Sequence, residues 1–401
     1  MGAGTAQGGA CLLISGKERK NMEFVVFAGV LLLLFIFMIV QELIQTKNQE
    51  KLFKKYLREN YGKEPPKEYS LERFARLGSY LERHKEEKQL DDITWNDLGM
   101  DEVFRRIDRT YSAAGEEYLY YTLRNISCGR EALEHLEEVV NWLQEQENIK
   151  VRIQLLMKRL GHLGKYSLYD YLDNLDYLGE RSNRKIVLGN LLYLPFLLLL
   201  FVQPAMGTIG IVLCMLWHIM TYFREKKVIE PYIISFAYVL RLIDVCEELE
   251  KQKIPVYRRE LDELREALKS LRELRRGAYW VMAGNQGKIG GNPLDILADY
   301  LRMILHLDIF QFNRMLEKLR KKTGQVETML AITGYLDMAI SVGGFRKSLE
   351  GYCIPKLEED TEKAFLHMKK GWHPLLSQPV KNSIRADRGI LLTGSNASGK
   401  S

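Results

Sequence analysis

Three runs of this chain hold almost no polar residue. Phe24 to Val40 is unbroken apolar sequence ending at Gln41-Glu42. Ile186 to Val202 is apolar apart from Asn190, and Ala205 to Phe223 apart from Thr208, His218 and Thr221. A helix needs roughly 20 apolar residues to cross a 30 Å hydrocarbon core. A helix on a globular core would show a polar stripe, which these runs lack. They are predicted as transmembrane helices, one over residues 24–40 and two as a hairpin over 186–223. Only Gln203-Pro204 joins the arms of the hairpin.

The flanks give an orientation. Arg181, Arg184 and Lys185 precede the hairpin, and Arg224, Lys226 and Lys227 follow it. Both ends are therefore expected in the cytoplasm by the positive-inside rule. Lys47, Lys51, Lys54, Lys55 and Arg58 follow the first run, which puts its C-terminal end inside and the start of the chain outside. Lys17, Arg19 and Lys20 argue the other way. Met22-Glu23 reads as a more natural start, which leaves residues 1–23 as an N-terminal extension.

Elsewhere the pattern is helical. Gln41–Asn60 and Glu68–Gln89 read as juxtamembrane helices, the second with Leu71, Phe74, Leu77 and Leu81 at helical spacing. Residues 41–90 form this juxtamembrane stretch. A globular unit opens at Thr94-Trp95-Asn96-Asp97-Leu98. Amphipathic helices are predicted over Ala113–Arg124, Glu131–Glu147, Val151–Leu160 and Tyr166–Leu178. After the hairpin they continue from Pro231 to Lys251, then over Tyr257–Arg276, Pro293–Arg320 and Gln325–Leu349, with a loop over Gly284–Gly291. Strands are predicted only at Val380–Ile384 and Gly389–Thr393. The expected fold is mainly α: a helical core over 91–350, interrupted by the hairpin, then the opening of an α/β domain over 351–401.

Composition changes this picture little. The 401 residues are 46% apolar and 27% charged, with a net charge of +6 that suits an anionic partner without demanding one. Cys11, Cys128, Cys214, Cys246 and Cys353 show no paired spacing, so reduced cysteines and no metal cluster are expected.

The sharpest chemical signal is Gly394-Ser395-Asn396-Ala397-Ser398-Gly399-Lys400-Ser401, a complete G-x-x-x-x-G-K-S phosphate loop. Gly389-Ile390-Leu391-Leu392-Thr393 before it reads as a buried parallel strand, the context in which such a loop works. Glycines let backbone N–H groups turn toward phosphate oxygens. Lys400 would reach the β- and γ-phosphates of ATP, and the Ser401 hydroxyl would ligate Mg²⁺. The acidic metal ligand and the water-orienting group that an ATPase also needs fall outside residues 1–401. The expectation is the front part of an ATPase, which alone does not hydrolyse ATP.

Several segments resemble the DNA mismatch repair MutS family. Trp95-Asn96-Asp97-Leu98, followed by Thr110-Tyr111-Ser112-Ala113-Ala114-Gly115-Glu116-Glu117-Tyr118-Leu119-Tyr120, is similar to the start of that family's helical core. Leu336-Asp337, Ser341 and Tyr352-Cys353-Ile354-Pro355 resemble its connector to the ATPase. His373-Pro374-Leu375-Leu376, Val380-Lys381-Asn382-Ser383-Ile384 and the phosphate loop resemble the opening of the ATPase domain, and Asn396 keeps the family's loop asparagine. The resemblance covers roughly residues 91 to 401. It implies ATP and Mg²⁺ as cofactors and a homodimer through the nucleotide domains. It also implies double-stranded DNA as partner, with mismatch repair as the process.

The departures matter equally. Ser395 and Ala397 replace the family's usual Pro and Met. The mismatch-reading wedge domain has no counterpart, since Phe223-Arg224-Glu225 matches its string only at a membrane-helix end. The DNA clamp shrinks to Gly277–Asn292, and soluble members carry no membrane helices. The expectation is a membrane-anchored, MutS-like ATP-binding protein, multi-pass in a bacterial cell membrane, with its core and ATPase domain cytoplasmic. The alternatives are a membrane P-loop ATPase of a transport or signalling class with no DNA role, and a tethered helical interaction module.

Overall fold

The computed structural model describes residues 37, 38, 40, 41, 44–63, 69, 71–86, 88–126, 129–163, 167–275, 293–358, 365–376, 378–391 and 393. The chain divides into two units, Met1–Asn60 and Tyr61–Ser401. In the first, residues 44–60 form a helix whose surface carries Glu50–Lys54 and Lys55–Glu59 ion pairs at 2.6 and 3.7 Å. The predicted span 24–40 lies outside the described residues except for Phe37, Met38 and Val40, which are helical and exposed.

The second unit is mainly helical. Its elements are α1 (Leu71–Arg83), α2 (Asp92–Asp97), α3 (Met100–Ile107), α4 (Ala113–Arg124), α5 (Arg130–Glu145), α6 (Glu147–Leu160) and α7 (Leu168–Asp173). The hairpin follows as α8 (Arg184–Leu191), α9 (Tyr193–Val202) and α10 (Pro204–Glu250), and then come α11 (Arg258–Leu271), α12 (Pro293–Leu305), α13 (Leu307–Arg320) and α14 (Thr323–Lys347).

Three helical stretches are long and apolar enough to cross a membrane: Arg184–Val202, Pro204–Glu250 and Thr323–Lys347. They differ in what covers them. In the apolar window of α14, 72% of residues are buried inside the fold, against 6% for Arg184–Val202. A helix that is apolar on all sides needs apolar surroundings. Around α14 other helices supply them, chiefly α4, α11 and α5. Around the hairpin the described residues supply few: Leu188, Leu198, Phe201, Ile209, Leu213 and Met220 all stand exposed.

The arms of the hairpin touch through small residues. At Gly207 an added Cβ would stand 2.7 Å from the Leu200 backbone nitrogen, and at Gly210 it would run into the Phe196 ring. Close backbone approach at small residues is the usual packing device where apolar surroundings provide no hydrophobic drive.

Helix α10 does not stop where its apolar segment ends. Its 47 residues run on through Lys226-Lys227 and Pro231 to Glu250, which at 1.5 Å per residue is roughly 70 Å. The part before Arg224 is mostly exposed. The part after Glu230 supplies Ile233, Phe236, Tyr238, Val239, Leu242, Val245 and Leu249 to the core. One rod thus carries two surfaces suited to two different surroundings. The sequence separates a span ending at Phe223 from a helix starting at Pro231, whereas the structure joins them.

Other boundaries also shift. The single helix predicted over Pro293–Arg320 breaks at His306, which adopts a left-handed backbone with φ 53°. Asn190 Nδ2 donates to the Leu305 carbonyl at 3.1 Å and so takes up an oxygen freed by that break. Helix α1 packs on α4 and brings Leu77, Tyr80 and Leu81 into the core.

Among the described residues of the expected parallel strand over 389–393 no strand is seen. Residues 389–391 are irregular, with Ile390 55% and Leu391 88% exposed. A buried parallel strand needs ladder partners on both sides and helices over both faces, and the described residues provide neither. The sheet that is present is antiparallel and two-stranded, β1 (Leu366–Gly371) with β2 (Asn382–Ala386), pairing Leu366 with Ala386 and Met368 with Ile384. β2 lies two residues beyond the predicted Val380–Ile384, and β1 is not predicted at all.

Candidate functional site

The proposed nucleotide site, Gly394 to Ser401, lies outside the described residues, as does the reduced clamp over Gly277–Asn292. The segments that lead toward it are described in part. Tyr352 and Ile354 are exposed in an irregular stretch after α14, and His373-Pro374 opens a turn between the two strands.

What the structure brings together is two of the segments singled out in the sequence, 107–112 and 337–341. The turn between α3 and α4 docks onto one face of α14. The Asp337 carboxylate accepts from the Tyr111 amide at 3.0 Å, the Ser112 amide at 2.8 Å and the Ser112 hydroxyl at 2.6 Å. One helical turn further on, the Ser341 hydroxyl donates to the Ile107 carbonyl at 2.9 Å and accepts from the Arg109 amide at 2.8 Å. Residues four apart share a helix face, so Asp337 and Ser341 together hold residues 107–112. Asp108 closes the turn from within, accepting from the Thr110 amide at 2.9 Å and the Thr110 hydroxyl at 2.6 Å. Asp108, Thr110, Ser112, Asp337 and Ser341 are all buried.

The identity of several neighbours follows from this contact. Ser112 caps α4, accepting from the Gly115 amide at 3.1 Å. A Cβ on Gly115 would collide with Asp337, and one on Gly334 would stand 2.6 Å from the Ala114 carbonyl oxygen. Only glycine lets α4 and α14 cross this closely. Trp95 packs in a core cluster with Leu77, Phe104, Leu119 and Met338, its ring 4.9 Å from that of Tyr120 and the Arg124 guanidinium 4.4 Å above it.

Two adjacent carboxylates follow on α4. Glu116 accepts from Arg73 and, at 2.8 Å, from Arg76, which ties α4 to α1. Glu117 accepts from the Ser167 hydroxyl at 2.9 Å, the cap of α7. Glu117 is fully enclosed, and burial pushes its carboxyl up to about 8, against smaller opposing effects of Ser167 and Arg76. Both carboxylates are buried among helices, which suits joints better than catalysis. Raising a carboxyl pKa in the folded state means that folding takes up a proton between the ordinary 4.5 and about 8. Stability from this group is therefore greatest below that window and declines as pH rises through it. Glu117→Gln is expected to flatten the fall in melting temperature between pH 5 and pH 8. Parallel pH profiles for the two proteins would show that Glu117 does not titrate in that window.

Among the described residues no group of three or more His, Cys, Asp or Glu side chains could hold a metal ion. Comparison of the chain with protein-family models, with curated proteins and with solved structures found no match.

Proposed function

We propose that this chain is a membrane-anchored, ATP-binding protein of MutS-like architecture. Residues 394–401 hold MgATP in the cytoplasm, and Lys400 and Ser401 meet the phosphates and the metal. The nucleotide domains pair into a homodimer, and the helical core carries the resulting change to the bilayer. The observation that carries this reading is α10, a single 47-residue helix whose first part is apolar and exposed and whose last part lies in the core. Such a rod couples movement of the core to the hairpin without any further element. The hydrogen-bonded junction of residues 107–112 with Asp337 and Ser341 supports the MutS-like part. It joins segments more than 200 residues apart that resemble the family separately.

The second reading, a membrane ATPase of a transport or signalling class with no DNA role, is favoured by α10 leading to the hairpin.

The topology is testable in cells after the native cysteines are replaced. A membrane-impermeant maleimide should label Ala205→Cys in intact cells. It should label Lys269→Cys, on the exposed face of α11, only after permeabilisation. Reversed labelling would overturn the orientation and with it the access of residues 394–401 to cytosolic ATP.

A further inference from the structure

A cavity of about 370 Å³ opens at the foot of the hairpin, where α8 and α10 leave their apolar segments. Its size falls within the ordinary range of small-molecule sites. Its walls combine Ile186, Trp217 and Ile309 with the cations Arg181, Lys185 and Arg224. Arg181 is already engaged, donating to Asn313 Oδ1 at 3.1 Å and pairing with Glu225. Lys185 and Arg224 are exposed and have no ion-pair or hydrogen-bond partner among the described residues. The one further carboxylate on the wall is Glu180.

The floor holds a buried imidazole with an unused nitrogen. His218 is 1% exposed and lines the cavity. Its Nδ1 faces His306 Nδ1 at 3.3 Å, while its Nε2 has no hydrogen-bond partner. That Nε2 lies toward Gly189, also on the wall, where an added Cβ would come within 3.3 Å of it. If His306 donates across the pair, His218 carries its proton on Nε2 and offers it to an anion. Buried polar atoms are rarely left unpaired in folded proteins, so this nitrogen points to an occupant. Two free cations at the rim, a donor in the floor and an apolar wall fit one chemistry: a phosphate ester with hydrocarbon attached.

We propose that this cavity binds the phosphate of an anionic phospholipid headgroup, with the acyl chains lying along the exposed apolar face of α10 at Trp217. The lipid as the source of the phosphate rests on the reading that the hairpin crosses a bilayer. The cavity's affinity for phosphate does not. Occupancy would clamp α8 against α10 at the point where the long helix enters the core.

The test uses the full-length protein, purified in detergent and titrated by native mass spectrometry with phosphatidylglycerol and with phosphatidylcholine. About one phosphatidylglycerol per chain should bind, at least tenfold tighter than phosphatidylcholine. Lys185→Gln with Arg224→Gln should weaken phosphatidylglycerol tenfold or more. Arg184→Gln with Lys227→Gln removes the same charge from exposed positions off the cavity wall and should leave the affinity unchanged. Equal loss in both pairs, or equal affinity for the two lipids, would overturn the site. Displacement of the lipid by equimolar inorganic phosphate would overturn the lipid as its source in favour of the free anion. Maleimide labelling at Ala205 judges the bilayer reading separately. Outside labelling there without lipid preference would sink this inference alone.

Discussion

Lys400→Ala in the full-length protein is expected to weaken ATP binding roughly 10- to 150-fold. That is the effect of losing about 1.5–3 kcal/mol, the usual worth of hydrogen bonds to a charged group. The reasoning starts from the loop. In the proposed loop, Gly394 and Gly399 would allow backbone N–H groups to surround the phosphates, and the substitution would leave those groups in place. In that proposal Lys400 would add a point charge where the β- and γ-phosphates crowd negative oxygens together. Its removal should therefore cost nucleotide affinity and leave the fold alone. Equilibrium binding of a labelled non-hydrolysable ATP analogue reads the effect. Equal affinity in both proteins would remove the phosphate-loop assignment.

Asp337→Ala should have the largest effect on stability. One buried carboxylate serves the Tyr111 amide, the Ser112 amide and the Ser112 hydroxyl. Truncation removes the acceptor of three donors at once, the two on Ser112 buried, and a buried donor costs about 1–3 kcal/mol when unpaired. The donors share one site and the turn can partly relax, so a loss of about 3–5 kcal/mol is expected. In a unit of this size that lowers the melting temperature by on the order of 10 °C. Asp337→Asn keeps one acceptor and should recover part of the loss. Thermal unfolding in detergent distinguishes the cases. An alanine variant within 1 °C of the parent would mean that the junction does not hold α4 to α14.

The apolar hairpin, the helical core and most helix identities were legible in the sequence, because burial and exposure leave a periodic mark along the chain. The limits of that mark explain the misses. Pro231 reads as a helix start because proline suits a first turn, yet α10 passes through it. His306 sits in an uninterrupted helical pattern, and its left-handed backbone coincides with the contact of its ring to His218 and of the Leu305 carbonyl to Asn190, more than 80 residues away. Ser112 and Asp337 were each singled out in the sequence, but their hydrogen bond spans 225 residues and no local pattern encodes it. Gly389–Thr393 has the composition of a buried strand without the neighbours that would bury it among the described residues. The cavity at the hairpin foot left only a trace in the sequence, as the one histidine interrupting the third apolar run.

Labelling with a photoreactive ATP analogue in sealed membrane vesicles joins nucleotide, membrane and orientation in one experiment. Vesicles would be prepared from cells expressing the full-length protein, inside-out and right-side-out, and irradiated without detergent. The protein should sediment with the membranes and be labelled only in inside-out vesicles, and at subsaturating analogue Lys400→Ala should cut the label about tenfold or more. Labelling in right-side-out vesicles, or recovery of the protein in the soluble fraction, would be incompatible with a membrane-anchored protein that binds cytosolic ATP.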